Sequence, residues 1–120
     1  MNIVLVCNDR ALGRALAIAL GSRGHEVGLA PGVAGALGTA PEPDVFVVDT
    51  ALGGRRWPGL LDVLRSQAHV PVVTLLDDRW AAVRLEVDLS RGGGYLLKPF
   101  GLSQLLACID EACRCAQVPA

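Results

Sequence analysis

The sequence predicts an α/β domain spanning residues 1–120, built on a five-stranded parallel sheet that is doubly wound in the flavodoxin manner. Three observations lead there. Short apolar runs alternate with segments of helical period from one end of the chain to the other. The runs are apolar throughout instead of alternating with polar residues, as in strands covered on both faces. Apolar residues make up 52% of 120 residues, enough for one core and too short a chain for a second domain. Right-handed crossovers then give the simplest topology, strand order 2-1-3-4-5.

Each element follows from its residues. Residues 3–7 (IVLVC) form the first buried strand. Residues 10–23 carry Leu12, Ala15, Leu16, Ala19 and Leu20 at helical spacing, with Asn8 or Asp9 as cap and Gly24 as terminator. Residues 26–30 read as a weaker strand, and 33–37 as a short helix poor in helix formers. Residues 45–48 (VFVV) form a strand that ends at Asp49. The Gly- and Arg-rich loop 52–57 leads to Pro58, which suits the first turn of a helix through about Gln67. Residues 71–76 are the fourth strand, and Asp77 or Asp78 caps a helix through about Ser90 that Gly92, Gly93 and Gly94 break. Residues 95–97 form the fifth strand and 103–115 the last helix.

Composition narrows the function classes. A net charge of −1 offers no field for nucleic acid or an anionic membrane. No segment is long and apolar enough to span a bilayer, and the N-terminus lacks the basic leader and cleavage site of a signal peptide, so a cytoplasmic location is expected. Cys7, Cys108, Cys113 and Cys115 fit neither a disulfide framework nor a C-x-x-C metal site, and His25 and His69 stand alone. Reduced thiols acting as small apolar residues are expected. Among ten arginines there is one lysine, Lys98, which is either an accident of composition or a hint of a place that requires a compact ammonium on a flexible stem.

In sheets of this kind ligands bind beyond the carboxyl ends of the strands. The residues there are Cys7, Asn8 and Asp9, then Asp49, then Leu76 and Asp77, then Lys98 followed by Pro99. A carboxylate and an ammonium drawn to one crevice make either a phosphoryl-acceptor site or a structural ion pair. At these residues the chain resembles the receiver domains of bacterial response regulators. Val45-Phe46-Val47-Val48-Asp49 is similar to the strand that presents the phospho-accepting aspartate. Tyr95-Leu96-Leu97-Lys98-Pro99-Phe100 is similar to the family's aromatic-x-x-Lys-Pro-Phe segment, and Pro71-Val72-Val73 to the start of its fourth strand. The likeness covers nearly the whole chain. It implies Asp49 as acceptor, Lys98 as the residue that contacts the phosphoryl group, and Tyr95 as the aromatic switch. Packing in the core or at the sheet edge is the other reading of Tyr95.

The departures from that pattern are specific. Receivers end their first strand with two acids that hold Mg²⁺, and here those positions are Cys7 and Asn8, with Asp9 one place late and suited to capping a helix. Leu76 stands at the hydroxyl position of the fourth strand, with Thr74 deeper on the same side. Gly53-Gly54 replace the Pro-Gly after the acceptor, and Gly93 and Gly94 replace acids before the aromatic. Three carboxylates and one ammonium would leave a pocket of about −2, suited to a hard divalent cation. Asp49 and Lys98 alone sum to zero, so no magnesium is expected unless Asp9 or water substitutes for the missing ligands.

The resulting expectation is an atypical receiver, stand-alone or the N-terminal part of a regulator, that signals by protein–protein contact and is not an enzyme. Its partners would be a histidine kinase, an output domain or a second copy. Trp80, Val83 and Val87 share one side of the fourth helix and are expected to form a partly exposed apolar patch, on the face of fourth helix, fifth strand and fifth helix through which receivers commonly dimerise. One alternative is a conventional phospho-receiver that accepts a phosphoryl group on Asp49 with Mg²⁺. Another is an enzyme similar to low-molecular-weight tyrosine phosphatases using Cys7. Its Cys7 and Arg14 are spaced C-x₆-R, not C-x₅-R, and the loop lacks the glycine and serine that cradle phosphate. The first turn has no G-x-G-x-x-G, which excludes a dinucleotide site of that type.

Overall fold

The computed structural model describes residues 1–7, 9–31, 35, 43–49, 70–76 and 94–117. The elements within them are β1 (Asn2–Val6), helix α1 (Arg10–Gly21), β2 (Glu26–Ala30), β3 (Val45–Asp49), β4 (Val72–Leu76), β5 (Tyr95–Leu97) and the C-terminal helix α2 (Leu102–Gln117). The strands form one sheet in the order β2-β1-β3-β4-β5. Every pairing is parallel. This is the predicted fold, with strand ends agreeing to within a residue or two. The predicted helices over 58–67 and 77–90, and all of 33–37 except Gly35, lie outside the described residues.

The three central strands owe their place to composition. β1, β3 and β4 are almost wholly Val, Ile, Leu and Phe, β-branched or bulky residues that pack on a pleated surface covered on both sides. Ile3, Leu5, Val45, Val47, Val73 and Leu75 point to one face of the sheet, where they meet Leu16 and Leu20 of α1 and Leu105, Ile109 and Ala112 of α2. Burying a side chain of this size contributes roughly 1.5–3 kcal/mol. The intervening residues, among them Val6, Phe46, Val72, Thr74 and Leu76, are also buried, on the other face.

The helix ends are set by local chemistry. Asp9 has extended backbone, and its carboxylate accepts from the Leu12 N–H at 3.1 Å, so Asp9 is the N-cap of α1. At the other end Gly24 takes a φ of +88°, the left-handed conformation that turns the chain into β2. In α2 the Gln104 side chain accepts from the Gly101 N–H at 2.8 Å, half of a capping box. The inward stripe of α1 departs from the predicted one, with Ala17 and not Ala19 packed on the core. Ala15 is exposed, and Gly13 is buried with Leu16 and Leu20. Gly13, not Ala15, faces β2, where a Cβ would meet Leu29.

Gly94 answers to a different constraint. A Cβ built there would lie 2.7 Å from the Cys108 Sγ, and its φ is not positive, so the requirement is for space. The Gly94 carbonyl accepts from the Thr74 N–H at 2.9 Å, which fixes the backbone against β4. Gly94→Ala is therefore expected to destabilise the domain by about 1–3 kcal/mol, the usual range for overpacking. In a Cys108→Ala background the same change is expected to cost much less. Chemical denaturation of the four proteins in this double-mutant cycle measures both.

Candidate functional site

The sheet brings three strand ends to one rim. β1 and β3 pair with Ile3 opposite Val45 and Val6 opposite Val48, and the same register sets Cys7 beside Asp49. β5 pairs with β4 so that Leu97 lies opposite Leu76, and the Lys98 N–H continues the ladder to the Leu76 carbonyl at 2.8 Å. Asp49 alternates with Val45 and Val47, and Lys98 with Leu96, so both side chains fall on the face that carries α1 and α2. The peptide bond between Lys98 and Pro99 is cis.

The geometry at the rim is short and asymmetric. Lys98 Nζ donates to Asp49 Oδ1 at 2.7 Å. Asp49 is 2% exposed and Lys98 24%, so a fully buried carboxylate is paired with an ammonium that keeps contact with water. Cys7 Sγ stands 3.5 Å from Asp49 Oδ2 and 3.5 Å from the Asp9 carbonyl oxygen, with one proton to donate to either. Burial pushes the Cys7 thiol above its ordinary range and the Asp49 charge adds to this, while a backbone contact with Asp9 offsets part of it. Cys7 is thus a neutral thiol at physiological pH and a poor nucleophile.

The remaining sites predicted from sequence fall as follows. Asp9 is at the rim and caps α1 through Oδ1. Leu76 is completely buried at the end of β4 and offers no hydroxyl. Thr74 shares its face, two residues deeper, and its Oγ1 is buried without a hydrogen-bond partner. Tyr95 is 39% exposed on the edge strand β5, which is sheet-edge placement, not core packing. Asn8, Trp80, Val83 and Val87 lie outside the described residues. Among the described residues no group of three or more His, Cys, Asp or Glu side chains is placed to hold a metal, and no helix is long and apolar enough to cross a membrane. The Cys7 contact with Asp49 had no signal in spacing alone, since the two are 42 positions apart and meet only through the register of β1 and β3.

No family model matches the chain. In sequence it is 34% identical over 117 residues to the transcriptional regulatory protein KdpE of Mycobacterium tuberculosis, an alignment covering 95% of this chain and 52% of that protein. The chain thus spans about half the length of the curated relatives it matches. In structure it superposes on a two-component response regulator from Clostridium difficile with a TM-score of 0.79 at 21% identity, covering 98% of this chain and 99% of the other. The fold is that of a response-regulator receiver domain. A non-phosphorylated HemR receiver domain from Leptospira biflexa has the same fold, with a TM-score of 0.75 at 24% identity and coverage of 99% and 96%. Within this receiver fold, Asp49 and Lys98 occupy the strand ends at which the sequence resemblance placed the acceptor and its lysine.

Two outcomes follow from the rim geometry. Lys98→Met leaves a buried carboxylate without its cation and is expected to cost about 2 kcal/mol, below the value for a fully buried pair because Lys98 is partly solvated. Asp49→Asn in the same chain is expected to restore most of that loss, as denaturant midpoints would record. The raised Cys7 pKa has a definite sign in stability. As pH rises past the ordinary thiol range, the unfolded chain releases a proton that the folded chain keeps, so the stability present below that range is lost. Thermal unfolding is expected to show a shallower alkaline decline for Cys7→Ala than for the wild type.

Proposed function

We propose that the chain is an atypical receiver domain of a bacterial response regulator, which signals in the cytoplasm through protein contacts without Mg²⁺-dependent phosphorylation. The observation that carries this reading is the charge balance around Asp49. Its carboxylate is buried and paired at 2.7 Å with Lys98, and the neighbour on β1 is a neutral thiol in place of an acid. The described donor set does not fit magnesium, which takes oxygen ligands in near-octahedral array. Cys7 supplies a soft sulfur, and Asp9 spends a carboxylate oxygen on the α1 cap. Phosphoryl transfer relies on a cation to neutralise the equatorial oxygens, and Lys98 alone supplies one charge. Leu76 cannot hydrogen-bond to a phosphoryl oxygen, so the step that would draw the fourth loop inward and rotate Tyr95 has no donor there.

Contact with a histidine kinase, an output domain or a second copy would use the face of β5 and α2 together with the predicted helix over 77–90. Tyr95, large, aromatic and 39% exposed, supports that choice, since such residues anchor interfaces. The similarity to a transcriptional regulatory protein supports a role in controlling transcription.

The intact pairing of Asp49 with Lys98 favours a second reading, a conventional phospho-receiver in which Asp9 or water completes the metal site. Incubation with acetyl phosphate and Mg²⁺ followed by intact-mass measurement separates the two. The proposed function predicts no adduct and unchanged partner binding by Asp49→Asn. A stoichiometric phosphoryl adduct that disappears in Asp49→Asn would overturn it.

A further inference from the structure

A cleft of about 520 Å³ opens between the first turns of α1 and the end of β2. Neither Asp49 nor Lys98 lines it, so it is a separate feature from the rim pair. Its volume is in the range of pockets that hold small organic molecules. Three observations define its chemistry. The floor is apolar, made by Gly13, Leu29 and Pro31, and Leu29 leaves 53% of its surface uncovered. Arg10 and Arg14, one helical turn apart, stand over this floor, and no hydrogen bond or ion pair engages either guanidinium among the described residues. Among the described residues, the one carboxylate lining the cleft, Asp9, has an oxygen committed to the Leu12 N–H. Two arginines and the positive end of α1 therefore outweigh it.

Gly13 points the same way. Glycine inside a helix costs stability relative to alanine. Here φ is not positive, and a Cβ would meet only Leu29 Cδ2 at 3.4 Å, an ordinary contact, so neither backbone nor clash demands glycine. A side chain longer than alanine would run into Leu29 and occupy the cleft that Gly13 lines.

A bare inorganic anion would ignore the apolar floor, and a hydrocarbon would ignore the arginines. We propose that this cleft binds a small amphiphilic anion, an apolar body carrying one carboxylate, sulfonate or phosphate group. The anionic group meets Arg10 and Arg14, whose planar guanidinium forks match such oxygens, and the body lies against Gly13, Leu29 and Pro31. Cys7 borders the cleft as well as Asp49, so an occupant would rest against the thiol that reaches Oδ2.

The probe is 8-anilinonaphthalene-1-sulfonate, titrated into the whole chain by fluorescence and by amide chemical shifts, with circular dichroism confirming that each variant is folded. Saturable binding at one site is expected, with shifts concentrated at residues 9–14 and 28–31. Arg10→Gln with Arg14→Gln is expected to weaken it at least tenfold, and Gly13→Leu to abolish it. The uncharged N-phenyl-1-naphthylamine is expected to bind the wild type at least tenfold more weakly than the sulfonate. Absence of saturable binding, equal affinity in the double arginine variant, or shifts centred elsewhere would each overturn the proposal. The double arginine variant decides the matter even if Gly13→Leu does not fold. None of these outcomes bears on Asp49 phosphorylation, because neither arginine touches the rim pair.

Discussion

A carboxylate at the end of a fully covered strand needs a cation, because an isolated buried charge is far too costly to keep. In this domain that cation is the Lys98 ammonium, delivered by a strand two places away across the sheet. The arrangement works only if β3, β4 and β5 hold their parallel register, so that the two strand ends reach the same height. The register is held by apolar packing of the central strands against α1 and α2. Core and site are therefore one construction, with the polar pair set at the rim of the buried sheet where water still reaches Lys98.

The composition of the rim then decides which chemistry the fold can support. A receiver-type pocket rich in acids repels itself and is relieved by a divalent cation. With a thiol just after β1, the carboxylate of β3 has its charge matched by Lys98, and Asp9 is the remaining carboxylate among the described residues of the rim. The thiol fits this setting because burial and the neighbouring carboxylate both favour its protonated form.

Much of this was legible in the residues themselves. Continuous apolar runs at residues 3–7, 45–48 and 71–76 identify the three central strands, because a strand covered on both faces has no polar side to alternate with. Asp49 and Lys98 stand out at strand ends for the same reason, as charges abutting apolar segments. Asp9 was readable as a cap from its place before the helical period. Other features were not legible. The inward placement of Gly13 instead of Ala15 depends on how α1 packs against β2. The closeness of Gly94 to Cys108 depends on where α2 crosses the sheet.

The sequence by itself determined the alternation of elements, the parallel sheet with its order, and the identity of the charged residues at the strand ends, since hydrophobic period and local capping are properties of neighbouring residues. Tertiary structure alone decided that Cys7 would face Asp49, that Lys98 would reach Oδ1, and that Arg10 and Arg14 would stand over an open apolar floor beside Leu29. These are contacts between segments far apart in the chain. Their distances come from strand register and helix placement, which side-chain packing over the whole sheet settles and which no local pattern encodes.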